Sequence, residues 1–506
     1  MSETSIPALL AHLSSGDQTV AIVNPTTGKR IYDLPQQSAG DVVLAVASAR
    51  AAQKSWNAVS PAQRQQILLR LHDLMLENQD RLIELLQLET GKAKSHAFEE
   101  VAGAYGAARY FGKITAKALK PKRTKAGVPV LTKTWVEHVA LGVVGVITPW
   151  NYPLALTMLD VLPALAAGNT VVQKADNQTA LTVLFARHLA VEAGIPDAAW
   201  TVVVGDGAEV GNAITDTCDY VAFTGSTATG KLVAERAAKR LIGYSLELGG
   251  KNPMIVLEGA NLKRAAELAM AGAFGSAGQL CVSLERVYVP NHLKDAFLEE
   301  IAARTRSLSV GHSKDFSMDM GTLTGKAQLD RVSGFIDQAV EAGAKVVSGG
   351  HKLPELGPFF YAPTVVTDVT SAANLYRREV FGPVLDVEGY DSIESAIEQA
   401  NDTEYGLNAS VVGPKREALR VASQLLAGSV NINEGFRATF ASMESPMGGM
   451  KQSGKGRRNG VDGLLRFTES RTMGVASGLL RLPLRGKDYV RMAPLMVTLM
   501  KVLRRL

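Results

Sequence analysis

Val143-Val144-Gly145-Val146-Ile147, then Thr148-Pro149-Trp150-Asn151-Tyr152-Pro153, then Leu154 to Ala167: this stretch decides the fold. A short β-branched run reads as a buried strand, two prolines punctuate a loop, and a longer apolar segment reads as a helix. Moving outward, Thr170-Val171-Val172 is a strand again. Leu181 to Ala193 is helical, Thr201 to Val204 is a strand, and Tyr220-Val221-Ala222-Phe223 is another. Strands alternating with helices imply a parallel sheet covered on both faces. Ligands of such sheets lie beyond the carboxyl ends of the strands. A second alternating block includes Pro253 to Leu257, Leu262 to Ser276, Arg286 to Val289, Ala344 to Val347 and Ser429 to Ile432, and reads as a second α/β domain. Upstream, Ser60 to Gly91 reads as one long amphipathic helix, with Ile67, Leu68, Leu71, Leu74, Met75 and Leu82 at helical spacing.

Composition narrows the class. With 506 residues, 46% hydrophobic and 20% charged, the chain suits a globular enzyme of more than one domain. Its two cysteines, Cys218 and Cys281, make no disulfide framework and fit a reducing cytoplasm. With eight scattered histidines, no metal-ligand set is visible. No signal peptide or membrane-spanning run is read, so a cytoplasmic location is expected. The net charge of +5 is concentrated in residues 478–506, where seven residues are basic and one is acidic. The body is near neutral, which argues against nucleic acid as a partner.

Four short segments carry candidate chemistry. Phe274-Gly275-Ser276-Ala277-Gly278-Gln279-Leu280-Cys281 places a thiol after a glycine-containing turn, where a ligand can approach the backbone. A lone cysteine is also a common buried apolar residue, the reading kept for Cys218. Leu246-Glu247-Leu248-Gly249-Gly250 sets a carboxylate between leucines, where desolvation would raise its pKa and suit it as a base. Asn151 is held between two prolines, as an oxyanion donor would be. Phe223-Thr224-Gly225-Ser226 runs from strand into helix, leaving free N–H groups for a pyrophosphate. The usual dinucleotide fingerprint is absent; Gly205-Asp206-Gly207-Ala208-Glu209-Val210-Gly211 spaces its glycines differently.

In this order and spacing the segments resemble the aldehyde dehydrogenase superfamily, from Asn24-Pro25-Thr26-Thr27-Gly28 to Pro446-Met447-Gly448-Gly449 and on to Gly454. The likeness is strongest to its succinate-semialdehyde dehydrogenase (NADP+) branch, in the longer bacterial form. It implies an α/β fold with a Rossmann-like parallel sheet, a second α/β catalytic domain and a small bridging arm for oligomerisation. The implied division is a dinucleotide-binding domain at 1–122 and 141–248 and a catalytic domain at 249–455. Bridging elements fall at 123–140 and 456–477, and a basic amphipathic tail at 478–506.

The resemblance implies that Cys281 attacks an aldehyde, that Asn151 steadies the oxyanion, and that Glu247 activates water to release an acid. Trp150, Asn151, Lys174, Asp176, Asn177, Gly207, Gly225, Ser226, Leu248, Glu379 and Phe381 would contact NADP or NAD. Many NAD-preferring relatives carry glutamate where this chain has Asn177. Its absence removes repulsion of a 2′-phosphate, so NADP is slightly favoured. Arg458 stands where many relatives place a relay glutamate.

The arginines that bind a substrate carboxylate in better-known members correspond to Leu159 and Gly275. Arg437 and Ser442 are the remaining polar candidates, and succinate semialdehyde is the expected substrate. Broad activity on aliphatic or aromatic aldehydes is the alternative, and a non-catalytic binding protein the alternative of another class. A homodimer or homotetramer is expected, with Thr132 to Val139 as an exposed arm and Thr468 to Met473 as its partner strand. The basic tail is expected to dock on the body or another subunit, with peripheral contact to an anionic membrane as the alternative.

Overall fold

The computed structural model describes residues 5–13, 18–126, 132–478 and 485–504. One compact unit comprises Met1–Ala118 and Ala140–Thr468; a second comprises Leu119–Val139 and Glu469–Leu506.

The first unit holds two large sheets. One has six strands in the order Gly454–Lys455, Gly243–Glu247, Tyr220–Thr224, Val143–Ile147, Thr170–Lys174, Trp200–Val203. All neighbours are parallel except the short Gly454–Lys455 edge. Strand order reverses at Val143–Ile147, whose chain neighbour Thr170–Lys174 lies on one side and Tyr220–Thr224 on the other. This reversal opens a crevice at the carboxyl ends of the strands. The Val143–Ile147 strand is buried along its whole length, as its run of β-branched residues requires. Gly145 lets a helix close on the sheet: a Cβ there would meet Ile214 at 2.4 Å and Cys218 Sγ at 3.2 Å. Cys218 is thereby sealed in the core, and burial pushes its thiol up to about 12.

The second sheet has seven strands in the order Lys345–Ser348, Thr364–Thr367, Val384–Tyr390, Leu284–Pro290, Asn252–Val256, Asn408–Val412, Ser429–Ile432. Asn252–Val256 follows Glu247 after only four residues, so the two sheets are joined where the glutamate emerges.

Where one helix was expected from Ser60 to Gly91, there are two, Pro61–Glu77 and Gln79–Thr90. Asn78 breaks the run with φ −107° and ψ 17°, its side-chain amide donating to the Leu74 carbonyl at 2.9 Å. The apolar spacing continues across the break, which is why periodicity alone did not show it.

The second unit contains a three-stranded sheet in the order Thr468–Ala476, Thr132–Ala140, Lys122–Thr124, and the helix Tyr489–Leu503. Arg471 pairs with Glu137 at 2.8 Å across this sheet.

Candidate active site

Candidate residues follow the carboxyl ends of five strands of the six-stranded sheet. Trp150 and Asn151 follow Val143–Ile147. Asp176 and Asn177 follow Thr170–Lys174. Gly207 follows Trp200–Val203, Gly225 and Ser226 follow Tyr220–Thr224, and Leu248 follows Gly243–Glu247.

Cys281 arrives from the other sheet. Helix Leu262–Phe274 ends in a turn at Gly275–Gly278, where Ser276, Ala277 and Gly278 hold φ of 50°, 54° and 69°. A Cβ on Gly278 would lie 2.0 Å from the Gly382 carbonyl oxygen, so only glycine fits. The turn is tied down on several sides. Tyr152 and Ser276 share a hydroxyl hydrogen bond of 2.9 Å, and Asn151 Nδ2 donates to the Gln279 carbonyl at 2.9 Å. Asn252 Nδ2 donates to the Cys281 carbonyl at 2.8 Å.

Cys281, Glu247 and Asn151 line one cavity of about 230 Å³, with Trp150, Gly225, Ser226, Leu248, Glu379 and Phe381. Glu247 is buried, and its Oε1 has no hydrogen-bond partner. Burial pushes its carboxyl up to about 7; Arg458 and Arg466 pull the other way. Cys281 is half-buried. Burial, then the carboxylates of Glu247 and Glu379, push its thiol up to about 12, while Arg458 opposes them. The resting thiol is therefore protonated at neutral pH.

Glu379 accepts from the Gly250 N–H at 2.9 Å, and burial with Glu285 nearby raises its carboxyl to about 8. Phe381, at φ 59°, meets Trp150 edge to face with centroids 5.6 Å apart.

Two helix starts face different fates. Gly207 opens Gly207–Thr217, but the Asp206 carboxylate already accepts from Ala208 and Glu209 N–H. Ser226 caps Thr227–Lys239 with a neutral hydroxyl, which leaves that end suited to an anion. Lys174 is buried, its Nζ only 3.3 Å from the Ala175 carbonyl; burial lowers its pKa against the pull of Asp176 and Asp206. Asp176 caps the following turn by accepting from Gln178 N–H. Asn177 accepts from Gly205 N–H and donates to Gln36 Oε1, each at 3.0 Å.

Comparison with known proteins shows the family. The pattern of the Aldehyde dehydrogenase family matches residues 12–473. The chain belongs to the aldehyde dehydrogenase family. A relative from Mycolicibacterium smegmatis, named "Putative succinate-semialdehyde dehydrogenase" with NADP(+) as its stated cofactor, is 49% identical over 448 residues, 88% of this chain and 87% of that protein. A similarly named Mycobacterium ulcerans protein is 47% identical over 451 residues, 89% of this chain and 87% of that protein. Among solved structures, an Escherichia coli NADP-dependent enzyme superposes with a TM-score of 0.88 at 33% identity, covering 91% of this chain and 96% of that one. Betaine aldehyde dehydrogenase from Staphylococcus aureus, solved with NAD+, gives 0.89 at 30% identity, covering 93% and 97%.

In this aldehyde dehydrogenase the two substrate candidates part company. Arg437 lines a second cavity of about 580 Å³, with Phe98, Tyr110, Tyr152, Phe436 and Phe440. Its NH2 is 3.1 Å from Glu99 Oε1. Ser442 is not among that cavity's lining residues; it bonds Ser445 at 2.8 Å. Leu159 is buried in helix Pro153–Ala166. Asn252, which fixes the Cys281 backbone, has no sequence signal beyond an asparagine opening a strand. Arg458 is neither exposed nor idle: it is buried against Asp160 and Thr224. Among the described residues no group of histidine, cysteine and carboxylate side chains could hold a metal ion.

Proposed function

We propose that this aldehyde dehydrogenase oxidises succinate semialdehyde to succinate through a thioester on Cys281, with NADP slightly favoured over NAD. One observation carries the chemistry: Cys281, Glu247 and Asn151 line a single cavity with Trp150, Glu379 and Phe381. The substrate comes from the names of the relatives at 47–49% identity.

The residues present suit a dinucleotide. Ser226 offers an anion a helix start capped by a neutral hydroxyl, and Lys174 brings a buried amine from a strand end two strands away in the same sheet. Asn177 places no charge there to repel a 2′-phosphate. Trp150, Leu248, Glu379 and Phe381 would hold the nicotinamide end, with Gly225 near the pyrophosphate and Asp176 and Gly207 at the crevice edge. The bound nicotinamide supplies the hydride acceptor.

Cys281 must lose its proton before it attacks the carbonyl carbon, because the thiol is a poor nucleophile. That proton passes to solvent, which leaves the Glu247 carboxylate free for the later step. One N–H of the Asn151 amide is engaged by Gln279; the other remains to donate to the developing oxyanion, with the Cys281 backbone N–H beside it. Once the carbon is oxidised, Glu247 takes a proton from water, which attacks the thioester and frees Cys281 and the acid. Mixing enzyme with aldehyde and NADP should give a burst of NADPH that Cys281→Ala abolishes. Glu247→Gln should keep the burst and lose turnover; full turnover in that variant would refute the role of the glutamate.

A second reading has its own support. The 580 Å³ cavity is lined by five aromatic rings and is far roomier than a four-carbon aldehyde needs, which favours larger aliphatic or aromatic aldehydes. Relative kcat/KM for succinate semialdehyde, hexanal and benzaldehyde separates the two.

Assembly is proposed through the second unit. Thr468–Ala476 is an edge strand, almost wholly exposed, and an edge is a template for another chain. The helix Tyr489–Leu503 exposes Val490, Leu495, Val497, Met500 and Val502. A second subunit is its proposed cover, with an anionic membrane as the alternative; no described helix is long and apolar enough to cross one. Light scattering and vesicle co-sedimentation, each with and without residues 478–506, distinguish these occupants.

A further inference from the structure

Two buried guanidiniums share one buried carboxylate beside Glu247. Arg458 grips Asp160 with two hydrogen bonds, Nε to Oδ1 at 3.0 Å and NH2 to Oδ2 at 2.6 Å. Arg466 reaches the same carboxylate, NH2 to Oδ1 at 2.5 Å. Asp160 is fully buried, and the two arginine side chains are 2% and 9% exposed.

The sheet aims this cluster at the glutamate. Thr224 pairs with Glu247 in parallel register, so the two side chains lie on one face. Ser245 is two residues before Glu247 and shares that face as well. Arg458 NH2 donates to Thr224 Oγ1 at 2.7 Å, and Arg466 NH1 donates to Ser245 Oγ at 3.1 Å. Both cations therefore hold onto neighbours of Glu247 on its own face. Glu247 Oε1 and Arg466 Nε are each buried without a hydrogen-bond partner. With Glu247 neutral, these four groups carry a surplus positive charge; with Glu247 ionised, they balance. The other groups acting on Glu247 are Arg457, which adds positive charge, and the thiol of Cys281 and phenol of Tyr220, both uncharged at neutral pH.

We propose that Arg458 and Arg466, outweighing Asp160, form a fixed cationic seat that favours the ionised form of Glu247 for thioester hydrolysis. Both are positioning residues, since they act through Glu247. The seat rests on the reading of Glu247 as the base for deacylation. It explains how the site works with a cation where many relatives place a relay glutamate: the arginine tunes the base instead of passing its proton on.

The test is the pH dependence of acyl-enzyme breakdown, measured by quenched flow after the NADPH burst, in Arg458→Met, Arg458→Lys and Arg466→Gln. Loss of a neighbouring cation should move the acid limb of deacylation upward by about one to three pH units. With the limb starting near 7, that is a loss of about five- to five-hundred-fold at pH 7 that shrinks steadily as the pH rises. The burst amplitude should persist, and Arg458→Lys should restore most of the wild-type profile. If Arg458→Met does not fold, Arg466→Gln, at the more accessible cation, carries the same expectation. An unmoved acid limb, or a loss equal at every pH, overturns the seat. Failure of Glu247→Gln to accumulate acyl-enzyme would instead overturn the base itself, so the two failures are told apart.

Discussion

The Asn151 side-chain amide donates to the Gln279 carbonyl oxygen at 2.9 Å, joining the loop after the first strand of the six-stranded sheet to the turn that carries the nucleophile. One contact thus links the proposed oxyanion donor to the turn that carries Cys281. Asn151→Ala should lower kcat by about 10²–10³, or roughly 2.7–4 kcal/mol, as expected for loss of one oxyanion donor. Steady-state kinetics alongside a melting curve would check it, since a comparable loss with an unchanged Tm assigns the effect to chemistry.

The raised Glu247 carboxyl predicts an acid limb in turnover. A base that protonates near 7 is neutral below that pH and cannot take a proton from water. With deacylation limiting, kcat should fall about tenfold for each unit below pH 6 and level off above pH 8. A flat profile from pH 5 to 8 would count against the assignment.

Cys281 should alkylate slowly in the free enzyme. Its thiol is pushed up to about 12, so the thiolate fraction at pH 7 is small and should grow about tenfold per pH unit. Iodoacetamide labelling followed by mass spectrometry reads this directly. Glu247→Gln removes a carboxylate that disfavours the thiolate and should speed labelling above pH 7, where that carboxylate is ionised. Cys218 should stay unlabelled until the protein unfolds.

Gly278→Ala should damage the fold around the nucleophile. A methyl group there meets backbone 2.0 Å away at a φ of 69°, and backbone cannot step aside as a side chain can. A loss of about 2 kcal/mol or more in urea unfolding is expected, with activity near background.

Arg437 should matter only to charged aldehydes. In Arg437→Ala, KM for an aldehyde with a distal carboxylate should rise about tenfold, the cost of a lost charge-assisted contact. KM for hexanal should barely change. Equal effects on both would place Arg437 outside recognition, as the partner of Glu99 alone.

Much of this was legible in the chain. The β-branched runs from Val143 to Phe223 gave the parallel sheet because buried strands leave few alternatives to such residues. Cys281, Glu247 and Asn151 stand out because glycine or proline, the residues that mark turns, flanks each of them. What stayed hidden depends on partners distant in sequence. Asn78 looked like one polar position on a helix until its amide was seen to cap the break. Arg458 carried only the fact of a replaced glutamate; its grip on Asp160 spans 298 positions and leaves no local pattern. Asn252 does its work on a carbonyl 29 residues away.

Trp150 and Asn151 line the smaller cavity while Tyr152, the next residue, lines the larger. Three consecutive residues are thus shared between two cavities, the proposed redox site on one side and the proposed room for the aldehyde's body on the other. A lineage can repaper the far side of such a wall, trading rings and cations to suit new carbon skeletons, without disturbing the fixtures on the near side. Diversification in this protein is therefore cheap in one room and forbidden in the other.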